Sequence, residues 1–211
     1  MRKTAKKAII FDLDNTIYPV SSIAGNLFSD LFNLIEQDGR YIGSLEAVKD
    51  AIQRRPFQVV ANEFDFNQEL TAKALEVLSV LEYRSTIRPF EDYQLTKELD
   101  CLKFLVTTGF TNLQWSKIKQ LELEKDFEAC FVVDPAKSDL TKKNIFAQIM
   151  VKYNLSSKEV LVVGDDIHSE IKAGRELGIE TVLYDYAGKH THTSTYNDNV
   201  ISNFDKLITF V

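Results

Sequence analysis

The stretch Ile9-Ile10-Phe11-Asp12-Leu13-Asp14-Asn15-Thr16 decides the fold, because an apolar run leads directly into two carboxylates and a hydroxyl. On a strand, side chains two positions apart share a face, so Asp12 and Asp14 point the same way while the chain stays extended. Neighbouring carboxylates repel each other unless a positive group joins them, and Mg²⁺ prefers carboxylate and carbonyl oxygens. The alternative is that both residues only form a turn or a helix N-cap, which Asp favours.

Five short apolar runs recur along the chain, and they predict the strands of one sheet. They are nearly continuous in Val, Ile, Leu and Phe, and helical patterns separate the later ones, which is typical of a parallel sheet covered on both faces. The predicted strands are residues 8–11, 104–107, 131–134, 160–163 and 181–184. We therefore predict an α/β fold with a Rossmann-like three-layer core.

A long insert separates the first two predicted strands, and it is far longer than one crossover requires. Its apolar residues recur at helical spacing, and such amphipathic helices must bury their stripes on one another. The stripes consist of Ile23, Leu27, Leu31, Leu34 and Ile35, then Leu45, Val48 and Ile52, then Leu70, Ala74, Leu75, Leu78 and Leu81. We predict a small all-helical cap domain over residues 19–87, and a core domain formed by residues 1–18 and 88–211.

The composition is that of an ordinary soluble protein. The formal net charge is −6 and no dense Lys/Arg stripe is present, so a nucleic acid is disfavoured as a partner. The apolar run after the basic N-terminus is too short for a signal peptide, and no stretch reaches membrane length. Cys101 and Cys130 lack metal-ligand spacing and are interpreted as buried free thiols of a cytoplasmic protein. His190 and His192 are interpreted as solvated loop residues, and the oligomeric state stays open.

Polar side chains follow several predicted strands, at the edge where a parallel sheet carries its site. Residues 107–109 close the second strand with two hydroxyls and a glycine, and residues 164–166 close the fourth with two carboxylates. Residues 138–143 open a helix whose positive dipole end and ammonium groups face the same edge. Each group alone is explained as a helix cap or a solvated side chain, but together they predict one site.

These residues resemble the haloacid dehalogenase superfamily over essentially the whole chain. Residues 12–16 have the DxDxT form of the family's first motif in phosphatases, Thr107 falls on the second motif, and Gly164-Asp165 opens the acidic fourth motif. The third motif needs a lysine near a helix start, and the chain offers three. In order of fit, these are Lys142, Lys143 and Lys137. A helical insert after the first motif is what the family calls a C1 cap.

The fourth motif departs from the family's usual pattern. Where relatives place a second Asp, this chain has Glu170, and Asp166 directly follows Asp165. Both Asp166 and Glu170 are candidates either for the metal shell or for the support of Lys142.

The resemblance implies phosphoryl transfer with Mg²⁺ as cofactor. Asp12 would attack phosphorus and form an aspartyl-phosphate, and Asp14 would protonate the leaving oxygen and later accept a proton from water. The metal ligands would be Asp12, the backbone carbonyl of Asp14, and Asp165. The phosphoryl group would be bound by Thr107, Thr108, Gly109 and Lys142.

Other functions are weighed against this phosphatase. Dehalogenases of the superfamily lack the second motif-one Asp, and phosphomutases often carry Gly where Asn15 stands. A signalling receiver domain has its phosphorylated Asp after the third strand, where this chain has Asp134, but it lacks a large helical insert. A noncatalytic phosphate-binding or scaffold protein with a relic site is the remaining alternative.

The substrate is predicted only as a small phosphorylated metabolite. Residues 11–19 resemble the opening of pyrimidine 5′-nucleotidase-like members, which ranks nucleoside monophosphates above sugar phosphates. Phe28, Phe32 and Phe64 could stack on a base, but their apolar context favours core packing.

Overall fold

The computed structural model describes residues 5–188 and 199–211, and a parallel six-stranded sheet lies at its centre. The strands are β1 (Ala8–Phe11), β2 (Leu102–Thr108), β3 (Ala129–Val133), β4 (Val160–Gly164), β5 (Glu180–Tyr184) and β6 (Asn199–Ile201). They lie in the order β3-β2-β1-β4-β5-β6. The predicted α/β fold with a Rossmann-like core is confirmed. Residues 1–4, and with them the start of the basic N-terminus, lie outside the described residues, as do His190 and His192.

Helices fill the insert and connect the later strands. In chain order they are α1 (Ala24–Leu27), α2 (Ser29–Asp38), α3 (Leu45–Ile52), α4 (Phe57–Glu63), α5 (Gln68–Val80), α6 (Tyr93–Lys97), α7 (Thr111–Gln120), α8 (Lys142–Lys152) and α9 (Glu170–Glu176). Short 3₁₀ turns span Val20–Ser22, Leu123–Lys125, Ser157–Glu159 and Phe204–Thr209. Helices α7, α8 and α9 are the crossovers that the sequence predicted.

Three elements were not predicted. Strand β6 has three residues and pairs only with β5 in the described part of the sheet, and two of its residues are exposed, so it carries no apolar run. Helix α4 begins directly after Pro56, which is its N-cap residue. Helix α6 has only five residues.

The register of the sheet places the predicted site residues at one edge. Phe11, the last residue of β1, lies opposite Leu105 of β2 and Val163 of β4, and these two strands continue beyond it to Thr108 and Gly164. The Asp12 N–H donates to the Val163 carbonyl at 3.0 Å, which holds the chain extended one residue beyond β1. Because all strands are parallel, their carboxyl ends meet at the same edge.

Alternation of side chains along β1 divides the core into two apolar clusters. Ile9 and Phe11 face the cluster that contains the insert helices and α7, whereas Ala8 and Ile10 face the cluster that contains α8 and α9. The insert therefore shares its apolar side chains with one face of the sheet. Its helices lie within residues 24–80, and the division into a cap over residues 19–87 and a core domain stays a prediction.

The described residues also bear on the cysteines and on the membrane. Cys101 and Cys130 are free, as expected, but both are half-buried rather than buried. Across the described ranges, no helix has the length and apolar character needed to span a bilayer.

Candidate active site

Three carboxylates meet where β1 and β4 end. Asp12 follows β1, Asp165 follows β4, and Glu170 is the first residue of α9. One carboxylate oxygen from each of the three residues lies within 4.8 Å of the other two, and Asp12 and Glu170 are almost fully buried. Carboxylate oxygens are the ligands that a hard divalent cation prefers, so this donor set fits Mg²⁺.

Lys142 joins this cluster as its positive partner. Its Nζ lies 2.5 Å from Asp12 Oδ1 and 2.7 Å from Glu170 Oε2, and the side chain is buried. Thr141 caps the N-terminus of α8 and forms a capping box with Asn144, which fixes Lys142 as the first residue of the helix. This capping positions the Lys142 ammonium beside the carboxylates of Asp12 and Glu170.

The other two candidate lysines lie elsewhere. Lys143 pairs with Glu176 on the surface at 2.9 Å. Lys137 is largely exposed and lies 3.8 Å from Asp134. Of the three lysines considered from the sequence, Lys142 is the one that contacts Asp12.

One ammonium does not balance three carboxylates, and the pKa values reflect this. Burial raises the pKa of Asp12 to about 7; the Lys142 ammonium lowers it, and Glu170 raises it again. Burial and the charges of Glu170 and Asp12 likewise raise the pKa of Asp165 well above its ordinary value. Although burial alone would lower it, the pKa of Lys142 is raised by Asp12 and Glu170. A bound cation would relieve this repulsion.

The structure distinguishes the two acids that the sequence left open. Glu170 contacts Lys142 through Oε2, and its Oε1 accepts from the Asp166 N–H at 2.7 Å. The Asp166 side chain instead accepts from the His168 N–H at 2.7 Å. Glu170 therefore belongs to the carboxylate cluster, whereas the Asp166 carboxylate closes a turn before α9.

The end of β2 places a hydroxyl near the site. Thr107 is 1% exposed, and its Oγ1 lies 2.6 Å from Gln114 Nε2 on α7. The carbonyl of Thr108 accepts from the same amide at 3.3 Å. Gly109 has a φ of +154°, and a Cβ there would lie 3.0 Å from the Gln114 side chain. The glycine lets α7 approach the strand end closely.

Asp14 faces α7 rather than the carboxylate cluster. Lys117 Nζ lies 2.9 Å from both of its oxygens, Gln114 Nε2 lies 2.9 Å from Oδ2, and the Tyr18 hydroxyl donates to Oδ1 at 2.5 Å. Burial alone would raise the pKa of Asp14, but Lys117 and the hydrogen bonds from Tyr18 and Gln114 bring it below its ordinary value. The Asp14 side chain is not among the clustered carboxylates.

The sequence did not predict the contacts of Asp14 with Tyr18, Gln114 and Lys117. A signal was present, because Gln114 and Lys117 lie three positions apart and directly beside Leu113 and Ile118, on the buried side of α7. Polar residues on a buried helix face need partners.

Thr16, the hydroxyl of the first motif, is buried, and its Oγ1 has no hydrogen-bond partner among the described residues.

Two minor expectations can be compared with the geometry. Phe28, Phe32 and Phe64 are each at least nine-tenths buried, in agreement with core packing. The Asp134 carboxylate after β3 accepts from the N–H and hydroxyl of Thr111 and from the Ala136 N–H. The Asp134 carboxylate therefore joins the start of α7 to the loop after β3.

Comparison with known proteins decides the family. Residues 6–178 match the profile of the haloacid dehalogenase-like hydrolases. The chain belongs to this family. A curated relative from Pyrococcus furiosus named glyceraldehyde 3-phosphate phosphatase is 26% identical, with 96% of this chain and 91% of the relative covered. A relative of the same name from Methanopyrus kandleri is 22% identical, with 94% and 92% covered.

A solved structure supports the same fold for this haloacid dehalogenase-like hydrolase. A haloacid dehalogenase-like family protein from Streptococcus pneumoniae matches with a TM-score of 0.74 at 17% identity, over 98% of this chain and 99% of that protein. The receiver-domain alternative is thereby excluded, because family and fold agree over nearly the whole chain.

Proposed function

We propose that this hydrolase is an Mg²⁺-dependent phosphomonoesterase that forms an aspartyl-phosphate on Asp12. The phosphatase class rests on the family and on the names of the curated relatives. The metal and the intermediate rest on one observation, the buried cluster of Asp12, Asp165 and Glu170 around Lys142. This arrangement supports the proposal, because Asp12 lies beside a buried positive charge and two further carboxylates that could hold a cation.

The metal ligands in this proposal are the carboxylates of Asp12 and Asp165 and the backbone carbonyl of Asp14, with Glu170 beside them. The three clustered carboxylates fit the ion because they are hard oxygen donors that carry more negative charge than Lys142 neutralises. When bound, Mg²⁺ screens the repulsion between Asp12 and the phosphoryl oxygens and stabilises the charge that develops on them.

In the first step, an Asp12 oxygen attacks phosphorus and the bond from phosphorus to the ester oxygen breaks. The leaving oxygen takes a proton from Asp14. Lys142 and the Thr107 hydroxyl bind the equatorial phosphoryl oxygens, joined by Thr108 and Gly109 of the same strand end. Lys142 is already held at the nucleophile, so it needs little reorganisation to act.

In the second step, water attacks phosphorus and the bond to the Asp12 oxygen breaks, which releases inorganic phosphate and restores the Asp12 carboxylate. The proton of that water passes to Asp14. Lys117 and Tyr18 favour the ionised form of Asp14, which is the form that this step requires. Asp14 regains the proton in this step and donates it to the next leaving group.

The substrate in this proposal is a small phosphorylated metabolite. The curated relatives are named for a triose phosphate, which places glyceraldehyde 3-phosphate first among esters to test. A nucleoside monophosphate ranks lower, because Phe28, Phe32 and Phe64 are buried in the apolar cluster of the insert. The insert helices would act as the C1-type cap that limits water and substrate size.

The test is phosphate release from a panel of monoesters with Mg²⁺ or with EDTA. The panel contains glyceraldehyde 3-phosphate, nucleoside monophosphates and p-nitrophenyl phosphate. We expect metal-dependent turnover that is lost in Asp12→Asn, falls to a residual rate in Asp14→Asn and is retained in Asp100→Asn, a matched change at an exposed position.

Two results would contradict the proposal. Turnover that survives in Asp12→Asn would exclude the aspartyl-phosphate. An absence of turnover on every ester, from protein that is folded by circular dichroism and stabilised by Mg²⁺, would favour a noncatalytic phosphate-binding protein.

A further inference from the structure

Helix α7 carries two polar side chains that point into the protein interior. Gln114 is 1% exposed and Lys117 is 2% exposed. A buried ammonium is costly unless a carboxylate pairs with it, and the partner of Lys117 is Asp14, 103 positions away along the chain. The Lys117 ammonium is bonded to both carboxylate oxygens of Asp14, so we expect it to act on the chemistry through Asp14.

The contacts of Gln114 connect Asp14 to the end of β2. Its Nε2 lies 2.6 Å from Thr107 Oγ1, 2.9 Å from Asp14 Oδ2 and 3.3 Å from the Thr108 carbonyl. An amide nitrogen has two hydrogens, so it can bridge the Thr107 hydroxyl and the Asp14 carboxylate at once. Because Gly109 lacks a Cβ, the glutamine fits against the strand end.

Helix α7 is itself anchored at several points. Thr111 at its start is bonded to Asp134 through both its N–H and its hydroxyl. On its other side, the Ser116 hydroxyl accepts from the Tyr83 N–H at 2.8 Å, and Asn112 donates to the Ser79 carbonyl at 3.2 Å. These bonds fix α7 between the sheet edge and the last helix of the insert.

We propose that Lys117 and Gln114 are positioning residues for the phosphatase reaction. Lys117 holds the Asp14 carboxylate in place, and Gln114 ties it to the Thr107 hydroxyl, so the proton-transferring group keeps a fixed relation to the phosphoryl-binding group. This inference rests on the proposed function, which gives Asp14 and Thr107 their roles. A displacement of about 1 Å at such a group can cost about 10²-fold in rate.

The inference predicts a dependence on the leaving group. A misplaced Asp14 harms the departure of an alkoxide, which needs the proton, more than the departure of p-nitrophenolate, which leaves as a stable anion. A purely structural role for Lys117 would impair both esters alike. The two roles therefore differ in a measurable ratio.

The experiment compares Lys117→Met and Gln114→Leu with Lys119→Met, which changes an exposed lysine on the same helix. The steady-state rates are measured for glyceraldehyde 3-phosphate and p-nitrophenyl phosphate at saturating Mg²⁺. We expect kcat/KM, which reports formation of the aspartyl-phosphate, to fall by about 10²-fold for the alkyl ester in both test variants and by less for the aryl ester. Lys119→Met should match the wild type.

A double-mutant cycle adds a second readout. If Lys117 acts through Asp14, Lys117→Met should have almost no further effect on the residual kcat/KM for p-nitrophenyl phosphate in the Asp14→Asn background. Binding of inorganic phosphate and of Mg²⁺ should be unchanged in Lys117→Met, because neither ligand touches this residue in the proposal. Thermal unfolding shows which variants are folded. If Lys117→Met is not folded, the test rests on Gln114→Leu, which leaves the Asp14–Lys117 pair intact.

Wild-type kcat/KM for the alkyl ester in folded Lys117→Met and Gln114→Leu would overturn the inference. An equal loss of kcat/KM on both esters, or full additivity with Asp14→Asn, would also overturn it and assign a structural role. If the wild type hydrolyses no ester, the proposed function fails instead, so the two failures are distinguishable.

Discussion

The side chain of Glu170 packs directly against the bare α-carbon of Gly164. A Cβ at position 164 would lie 2.3 Å from the Cγ and from the Oε1 of Glu170, which is closer than any side chain tolerates. Gly164 ends β4 and Glu170 begins α9. This contact lets Glu170 reach Lys142 with one oxygen and the Asp166 N–H with the other.

Gly164→Ala should therefore displace Glu170 and loosen Lys142. We expect kcat to fall at least about tenfold, equivalent to about 1.4 kcal/mol of transition-state stabilisation, with secondary structure retained. Steady-state kinetics and circular dichroism measure these two effects. The matched control is Gly25→Ala, where an added Cβ meets nothing within 4 Å. Wild-type kcat in Gly164→Ala would show that the position of Glu170 does not matter for turnover.

Lys142→Met should lower both activity and stability. It leaves Asp12 and Glu170 without their buried cation, and breaking a buried pair in this way costs about 3–5 kcal/mol of unfolding free energy. Urea unfolding measures this loss, and we expect Mg²⁺ to restore part of it because a cation again neutralises the carboxylates. Lys143→Met removes only a surface pair and should cost less than about 1 kcal/mol. Equal stability of the two variants would contradict the prediction.

Glu170→Gln and Asp166→Asn separate the two acids beside Asp165. Because Glu170 lies in the carboxylate cluster, we expect Glu170→Gln to raise the Mg²⁺ concentration for half-maximal activity by about 10–100-fold. Asp166→Asn keeps an oxygen that can accept from the His168 N–H and should change this concentration less than about threefold. Titration of activity with Mg²⁺ measures both. A larger shift for Asp166→Asn would reverse the assignment.

Mg²⁺ affinity should rise with pH through neutrality. Burial raises the pKa of Asp12 to about 7, so below that pH a proton occupies a group that the cation needs in its ionised form. This folded-state pKa lies above the ordinary value of 3.8. The free energy of unfolding of the metal-free protein therefore falls as pH rises from 3.8 towards 7.

The measurement is the shift in melting temperature on adding Mg²⁺, taken from about pH 6 to about pH 8. We expect the shift to be larger at about pH 8 than at about pH 6. In Asp12→Asn, which cannot titrate at this position, the dependence on pH should be weaker. A shift that is independent of pH in the wild type would contradict a site that includes Asp12.

Much of the fold was predictable because its signals are local. Residues 8–11 form β1 with the predicted bounds, since a strand buried on both faces needs an unbroken apolar run. Strand β6 was not predicted, because it has no such apolar run: it is short and mostly exposed, and it depends on pairing with β5. The meeting of Asp12, Asp165 and Lys142 was expected, because the carboxyl ends of parallel strands share an edge.

The choice between Glu170 and Asp166 required the three-dimensional structure. Both residues lie near the start of α9, and spacing along the chain does not tell which carboxylate turns towards Asp12. The missing Cβ of Gly164 and the bond to the Asp166 N–H decide it.

The sequence by itself determined the parallel sheet, the helical insert and the acids at the strand ends, because these follow from hydrophobic patterning and motif spacing. Only the tertiary structure decided the surroundings of Asp14. Its partner Lys117 lies 103 positions away, on a helix whose orientation depends on Gly109, Asp134 and the insert. Contacts of this kind arise from packing between distant elements, and local sequence does not encode which side chains will meet.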